Sequence, residues 1–242
     1  KSNNITVEHL SQLIVDLDVD IVALQEIGNE SYFNNLLNIL NGWDGERTNE
    51  FYGLAYIYKS DLNIQDIYEI DELDKYEFSR TPYMLSINWE NNMVYIINNH
   101  FKCCGDGTIN YSNSSDEEYR RLKSIQLTKA YLDTYYTNES VVVLGDMNDE
   151  LNDTESNNIF TDFIEDSQYK FTDYGIAMGS STYWSYPTWP SHLDHILITN
   201  ELYNNHDTTY SILAEDYFSG WIEYENIISD HRPVGIRLKF ED

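Results

Sequence analysis

The chain has 242 residues, 41% of them apolar and 14% aromatic, enough for one large core and too many for a disordered segment. Its 42 acids against 14 bases leave a formal charge of −28, a field that repels nucleic acid and anionic membranes in general and excludes a broad basic groove. No apolar run approaches the roughly 18 residues that span a bilayer, so no stable membrane insertion is expected.

The chain opens on the polar stretch "KSNNITVEHL", which has the character of neither a signal peptide nor an anchor. Leu10, Leu13, Ile14 and Leu17 then follow the i, i+3, i+4, i+7 spacing of a helix with one apolar face, and "VDIVALQE" reads as a buried strand behind it. Phe33, Leu36, Leu37 and Leu40 repeat the helical spacing, and the two glycines of "NGWDG" predict a break there.

Between Phe51 and Asn99 the pattern shifts to short β-rich runs, "YGLAYIYK", "LNIQDIYEI", "PYMLSINWE" and "MVYIINN", which predict a largely antiparallel meander. Tyr119, Leu122, Ile125, Leu132 and Tyr136 predict another helix. "VVVLG" beyond it reads as a strand buried on both faces, and "DHILIT" and "RPVGIRLKF" supply two more. There is no repeat and no Pro-, Gly- or Ser-rich linker, so residues 1–242 read as one domain with two packed sheets and helices outside.

Polar clusters close several of these apolar strands: Glu26 in "LQE", His100 in "NNH", Asp146 and Asn148 in "GDMND", Asp194 in "LDH", Asp230 and His231 in "SDH". Strand ends that share one rim converge, and a rigid sheet holds such groups in fixed geometry. Carboxylates crowded without a counter-charge repel one another, and a hard divalent cation reverses the sign of that interaction. Glu26 and Asp230 are the candidate metal ligands. Two cysteines are too few, and the carboxylates too many, to favour zinc.

Five of the bases, Arg80, Lys102, Arg120, Arg121 and Lys123, lie within residues 80–123, where an anion site would draw on them; singly, all but Arg80 read as solvated charges. His192 and His195 read as surface or packing residues. The loop "STYWSYPTWPSH" offers aromatics for stacking on a substrate ring or for ordinary packing. Cys103 and Cys104 are neighbours, unable to staple distant parts of the fold, and read as a structural turn in preference to a vicinal disulfide or a soft-metal site.

Taken in order, "IVALQE", "FSRTPYM", "NNHF", "VLGDMND", "HLDHILIT" and "ISDHRPV" resemble the motifs of the endonuclease/exonuclease/phosphatase superfamily, with its deoxyribonuclease-I-like fold. The resemblance implies an α/β (α+β) four-layer sandwich of two packed mixed β-sheets flanked by helices. It implies a divalent-metal phosphoesterase, most nearly a nuclease-type phosphodiesterase using Mg²⁺, with Mn²⁺ or Ca²⁺ as alternatives. Its substrate would be nucleic acid or another phosphate ester. A phosphomonoesterase or sphingomyelinase-like enzyme, and a non-catalytic binding module, are the alternatives.

By the same resemblance, Asp146 would deprotonate the attacking water and Asn148 would hold a phosphate oxygen. Asp194 would pair with His231 as donor to the phosphoryl oxygen. His100 would be a second cationic donor or general acid, Arg80 would clamp phosphate, and Glu50 would partner His100. The family's first strand, ending in asparagine ahead of the helix near His9, has no counterpart here, so one sheet position is expected to be open. A monomer without a protein partner is expected, and surface acidity suits an exported protein, with the cytoplasm as the alternative.

Overall fold

A computed structural model describes residue 1 and residues 3–240. Helix α1 (Asn4–Leu17) is capped by the Asn3 side chain, which accepts from the Thr6 N–H, and it stops where Asp18 turns left-handed at φ 47°. Strand β1 (Ile21–Ile27) follows, then α2 (Glu30–Ile39), both where the apolar spacing places them.

"NGWDG" departs from the expected break. The helix does end there, but Trp43–Arg47 is a strand, β2, with Gly45 inside it. A Cβ on Gly45 would lie 2.6 Å from the Tyr56 carbonyl oxygen, so this glycine serves close strand approach and not a turn.

The β-rich middle is β3 (Gly53–Lys59), β4 (Ile64–Glu69), β5 (Tyr83–Trp89) and β6 (Asn92–His100). Only β4, β5 and β6 form an antiparallel meander; β3 pairs instead with β1 and β2 in a separate three-stranded sheet. Next come α3 (Glu117–Tyr135), β7 (Ser140–Asp146), α4 (Thr161–Ile164), β8 (Tyr169–Phe171), α5 (Tyr174–Ala177), β9 (Asp194–Thr199), β10 (His206–Ser211), α6 (Trp221–Ile227) and β11 (Val234–Leu238). Strands β8 and β10, short or weakly patterned, are not legible as apolar runs.

One sheet has six strands in the order β4-β5-β6-β7-β9-β8, with β6 and β7 parallel through the α3 crossover. Facing it lie β1-β3-β2 and the two-stranded β10-β11. A core of Leu54, Tyr56, Leu85, Val142, Ile196 and Ile198 fills the space between the sheets. Helix α3 covers the outer face of the six-stranded sheet, with Ile125 and Leu132 against Val141 and Val143. Helices α1 and α2 cover the outer face of β1-β3, with Val7, Ile14, Phe33 and Leu36 against Ala55 and Ile57. The layers are therefore helix, sheet, sheet, helix, as the resemblance implied.

Two buried polar side chains tie the sheets together. Asn98 of β6 donates from Nδ2 to the Leu24 and Ala55 carbonyls at 3.1 and 3.2 Å, and its Oδ1 accepts from Gln25 Nε2 at 2.7 Å. Tyr56 of β3 donates its hydroxyl toward the Tyr83 and Ile96 carbonyls. A groove of about 970 Å³ runs between β1 and β11, and its lining includes Glu26, Asp194, Asp230 and His231.

Candidate active site

Alternation along three adjacent strands builds the site. Val94, Ile96 and Asn98 of β6, Val142 and Leu144 of β7, and Ile196 and Ile198 of β9 all face the inter-sheet layer. Counting by twos, His100, Asp146 and Asp194 continue those rows. The register then aligns them: His100 pairs with Asp146 across β6-β7, and Asp146 with Asp194 across β7-β9. Three residues remote in sequence thus stand side by side at one strand end.

Gly145, just before Asp146, permits this row. It lies at φ 129°, and a Cβ there would meet the Asn99 carbonyl oxygen at 2.0 Å. Any side chain would force β6 and β7 apart. Past Asp146 the chain turns sharply, with Asn148 left-handed at φ 53°. Asn148 donates its N–H to Asp146 Oδ1 and its Nδ2 to Asp146 Oδ2, both at 3.0 Å, and also bonds the Phe101 carbonyl.

His231 completes the group. Its Nδ1 lies 2.7 Å from Asp194 Oδ2, and its ring packs against Tyr186 at 4.8 Å between centroids. Burial alone would favour neutral imidazole, but the Asp194 carboxylate, with Asp146 and Asp230 behind it, pushes His231 up to about 10. Asp194 is partly buried, which favours its neutral form, yet the His231 imidazolium and the Ser185 hydroxyl hold it below the usual carboxylate range. At neutral pH the pair is ionic, with Nε2 of His231 left for a ligand.

Asp146 moves the other way. Burial, the neighbouring Asp194 charge and, more weakly, Glu26 push it up to about 7, against the opposing effect of His231. His100, expected as a cationic donor, is neutral in this state. Burial lowers it to about 4, and the positive charges of Arg80 and His231 oppose its protonation. Its Nε2 lies 3.5 Å from Asp146 Oδ2. The expected bond from Glu50 is not formed: His100 Nδ1 and Glu50 Oε2 are both buried without a hydrogen-bond partner. Burial and the charge of Glu69 push Glu50 up, with Arg80 opposing.

Glu26 and Asp230 stand exposed on the groove, outside the tight group of Asp146, Asp194 and His231, whose ligand atoms lie within 4.8 Å of one another. Glu26 sits at φ 59°, where the β1-β3 register slips between Leu24 and Ile27. That bulge turns its carboxylate out of the strand pattern. Asp194 spends one oxygen on His231 and Asp146 both on Asn148, so the exposed Glu26 and Asp230 are the oxygen donors most open to a hard cation. Asp146 is raised first by burial and then by the Asp194 and Glu26 charges, which a cation would offset, and exposed carboxylate oxygens are the donors a hard divalent ion takes. Arg80 donates from Nε to the Tyr52 carbonyl at 2.9 Å, and its charge reaches both His100 and Glu50.

Of the basic cluster in residues 80–123, Arg121 corrects the expectation of solvated charge. It is buried, 2.8 Å from Asp149 Oδ2, and bonds the carbonyls of Lys102 and Cys104. His192 and His195 are buried as well. His195 sits 2.6 Å from Asp173 Oδ2 and 2.9 Å from the Asp149 carbonyl, which ties the start of β9 to the turn after β7. In the aromatic loop, Ser185 Oγ accepts from the Leu193 and Asp194 N–H groups, while Trp189 is 73% exposed. Asp173, Ser185 and Arg121 carried no motif, and Asn98, inside "NNHF", was passed over for His100; no sequence signal marked Asp173, because the three-residue strand before it is too short to read.

A buried acid raised toward neutrality, an adjacent imidazolium–carboxylate pair and exposed carboxylates share one rim of a four-layer α/β sandwich, a set suited to phosphate ester chemistry. The sequence profile of the Endonuclease/Exonuclease/phosphatase family matches residues 1–231, and the chain belongs to that family, which is divalent-metal dependent. No curated protein sequence matches the chain.

Solved structures share the fold. Danio rerio TDP2 in complex with a single-strand DNA product matches with a TM-score of 0.73 and 12% identity, over 98% of this chain and 92% of that one. The 3′ phosphatase NExo from Neisseria, bound to a product DNA hairpin, gives 0.68 and 16% over 98% and 95%. The human nocturnin catalytic domain with bound sulfate gives 0.65 and 15% over 96% and 86%. The chain is a hydrolase of phosphate ester bonds, and among the described residues no helix is long and apolar enough to cross a membrane.

Proposed function

We propose that the chain is a nuclease-type phosphodiesterase that cleaves phosphodiester bonds of nucleic acid by metal-assisted attack of water, with Mg²⁺ as the cation and Mn²⁺ or Ca²⁺ as alternatives. The observation that carries this reading is the row of His100, Asp146 and Asp194 across three paired strands, with His231 ionised beside it.

Asp146 takes the proton of the attacking water, and Asn148 orients Asp146, its other side-chain N–H turning from the Phe101 carbonyl to a phosphate oxygen when substrate binds. His231, charged and braced through Nδ1, donates from Nε2 to the oxygen on which negative charge grows. His100 donates a hydrogen bond from a neutral ring toward the leaving oxygen, and Arg80 adds a planar charged donor beside it. Glu26 and Asp230 would hold the cation, whose chemistry is to offset phosphate charge and to acidify water.

DNA products in two structural neighbours support a nucleic-acid substrate. The phosphatase named among those neighbours keeps a monoesterase as the second reading. The test is hydrolysis of plasmid DNA, para-nitrophenyl phosphate, its bis-ester and sphingomyelin, each with Mg²⁺ and with EDTA. DNA and the bis-ester should be cleaved only with metal. Preference for the monoester would favour the second reading, and no EDTA-sensitive hydrolysis of any of the four would overturn both.

A further inference from the structure

We propose that Cys103 and Cys104 are a redox-active dithiol that reacts with low-molecular-weight disulfides and closes to a disulfide between neighbours. Adjacent thiols normally diverge, because successive side chains point to opposite sides of an extended chain. Here Cys104 is left-handed, at φ 72°, and the two sulfurs lie 2.9 Å apart. A disulfide bond is about 2.05 Å long, so closure needs a movement of only about 0.9 Å.

The turn is held from behind. Buried Arg121 donates from Nη1 to the Lys102 and Cys104 carbonyls at 2.9 and 2.7 Å, and from Nε to Asp149 at 2.8 Å. The bent backbone is thus imposed by an ion pair and is present before any sulfur–sulfur bond forms. Both thiols are exposed and free. Cysteines kept for packing are buried and inert, whereas reactive ones are open to reagent beside positive charge.

The two sulfurs have different roles. The Cys104 S–H donates to Cys103 Sγ, a bond that pushes the Cys104 thiol up, and the Lys102 ammonium lies 3.9 Å from Cys103 Sγ. Cys103 is therefore the attacking sulfur and Cys104 the resolving one. In the first step the Cys103 thiolate attacks one sulfur of the reagent disulfide, forming a mixed disulfide and expelling one thiolate. In the second, Cys104 loses its proton to solvent and attacks Cys103 Sγ, expelling the other thiolate. The pair is oxidised by two electrons, and the reagent is reduced to two thiols.

The test uses the full chain, reduced and then incubated with glutathione disulfide, with intact mass as the readout, independent of any phosphoesterase activity. The protein should become lighter by two hydrogens and retain no glutathionyl group. Cys104→Ser should instead keep one glutathionyl group, and Cys103→Ser should acquire one about tenfold more slowly. Phenylarsine oxide, which needs two thiols, should bind the unaltered protein one to one and neither variant. A wild-type chain that keeps glutathionyl groups, or stays reduced while Cys104→Ser is modified, would overturn the assignment.

Discussion

Asp146 and Asp194 are directly opposed residues of the β7-β9 ladder, on the face that looks into the inter-sheet layer. Like charges opposed in a sheet are unfavourable, and the fold answers with two devices. His231 neutralises Asp194, and burial shifts Asp146 toward its protonated form.

Asp194→Asn should therefore change His231 more than it changes the fold. The folded-state value of about 10 should fall by several units, because the carboxylate that offsets burial is gone. Ring-proton NMR across pH 5–10 reads it directly, about pH 5 to 10 spanning the ordinary histidine range and the raised value. Turnover should drop about 10²–10⁴-fold. A variant whose His231 stays charged at high pH would show that another group holds the proton.

Cation binding should release protons near neutrality. Asp146 sits at about 7 without metal, and a nearby divalent ion favours its ionised form, so up to about one proton should leave on binding between about pH 6 and 8. Titration calorimetry in two buffers of unlike ionisation enthalpy measures it. Identical heats in both buffers would mean that the ion does not reach Asp146.

Gly145→Ala should cost about 2–4 kcal/mol and most of the activity together, since the added carbon meets the Asn99 carbonyl and the backbone is left-handed. Urea unfolding gives the first and bis-ester hydrolysis the second. Loss of activity with unchanged stability would rule out the strand-separation account.

Asp173→Asn should destabilise by about 3–5 kcal/mol, because it leaves His195 buried without its counter-charge. The pH dependence has a definite sign. His192 and His195 outweigh burial and depress Asp173, so its contribution is full above the unfolded value of about 3.9 and is lost as pH falls. His195 is raised despite burial, so its contribution is full below about 6.5 and is lost as pH rises through the folded value. Melting temperatures of wild type and variant should differ most between about pH 4 and 6.5. Curves that run parallel from pH 3 to 9 would be inconsistent with this linkage.

DNA cleavage should quicken with salt up to roughly 0.2 M and not slow, because a chain of net charge −28 repels the duplex at low ionic strength. Initial rates on plasmid DNA at fixed metal test this, with the small, singly charged bis-ester as control. A monotonic fall, the usual signature of phosphate contacts by bases, would point to a basic surface patch.

Local patterns carried much of this molecule. The spacing of Leu10, Leu13, Ile14 and Leu17 is a property of fourteen consecutive residues in α1, and the apolar run before Gly145 and Asp146 lies within the seven residues of β7. Such periods are set by neighbours along the chain, so elements and strand-end motifs are legible before any folding. The motif order also identified the family. What the string leaves open is pairing between distant segments: that β3 leaves the meander for the other sheet, that His100, Asp146 and Asp194 share one row, that Arg121 is buried against Asp149. The protonation of His100 is decided at the same level, because burial and the Arg80 charge come from segments far apart in sequence. Register and burial depend on contacts across tens of residues, whose energies exist only once the two sheets have packed.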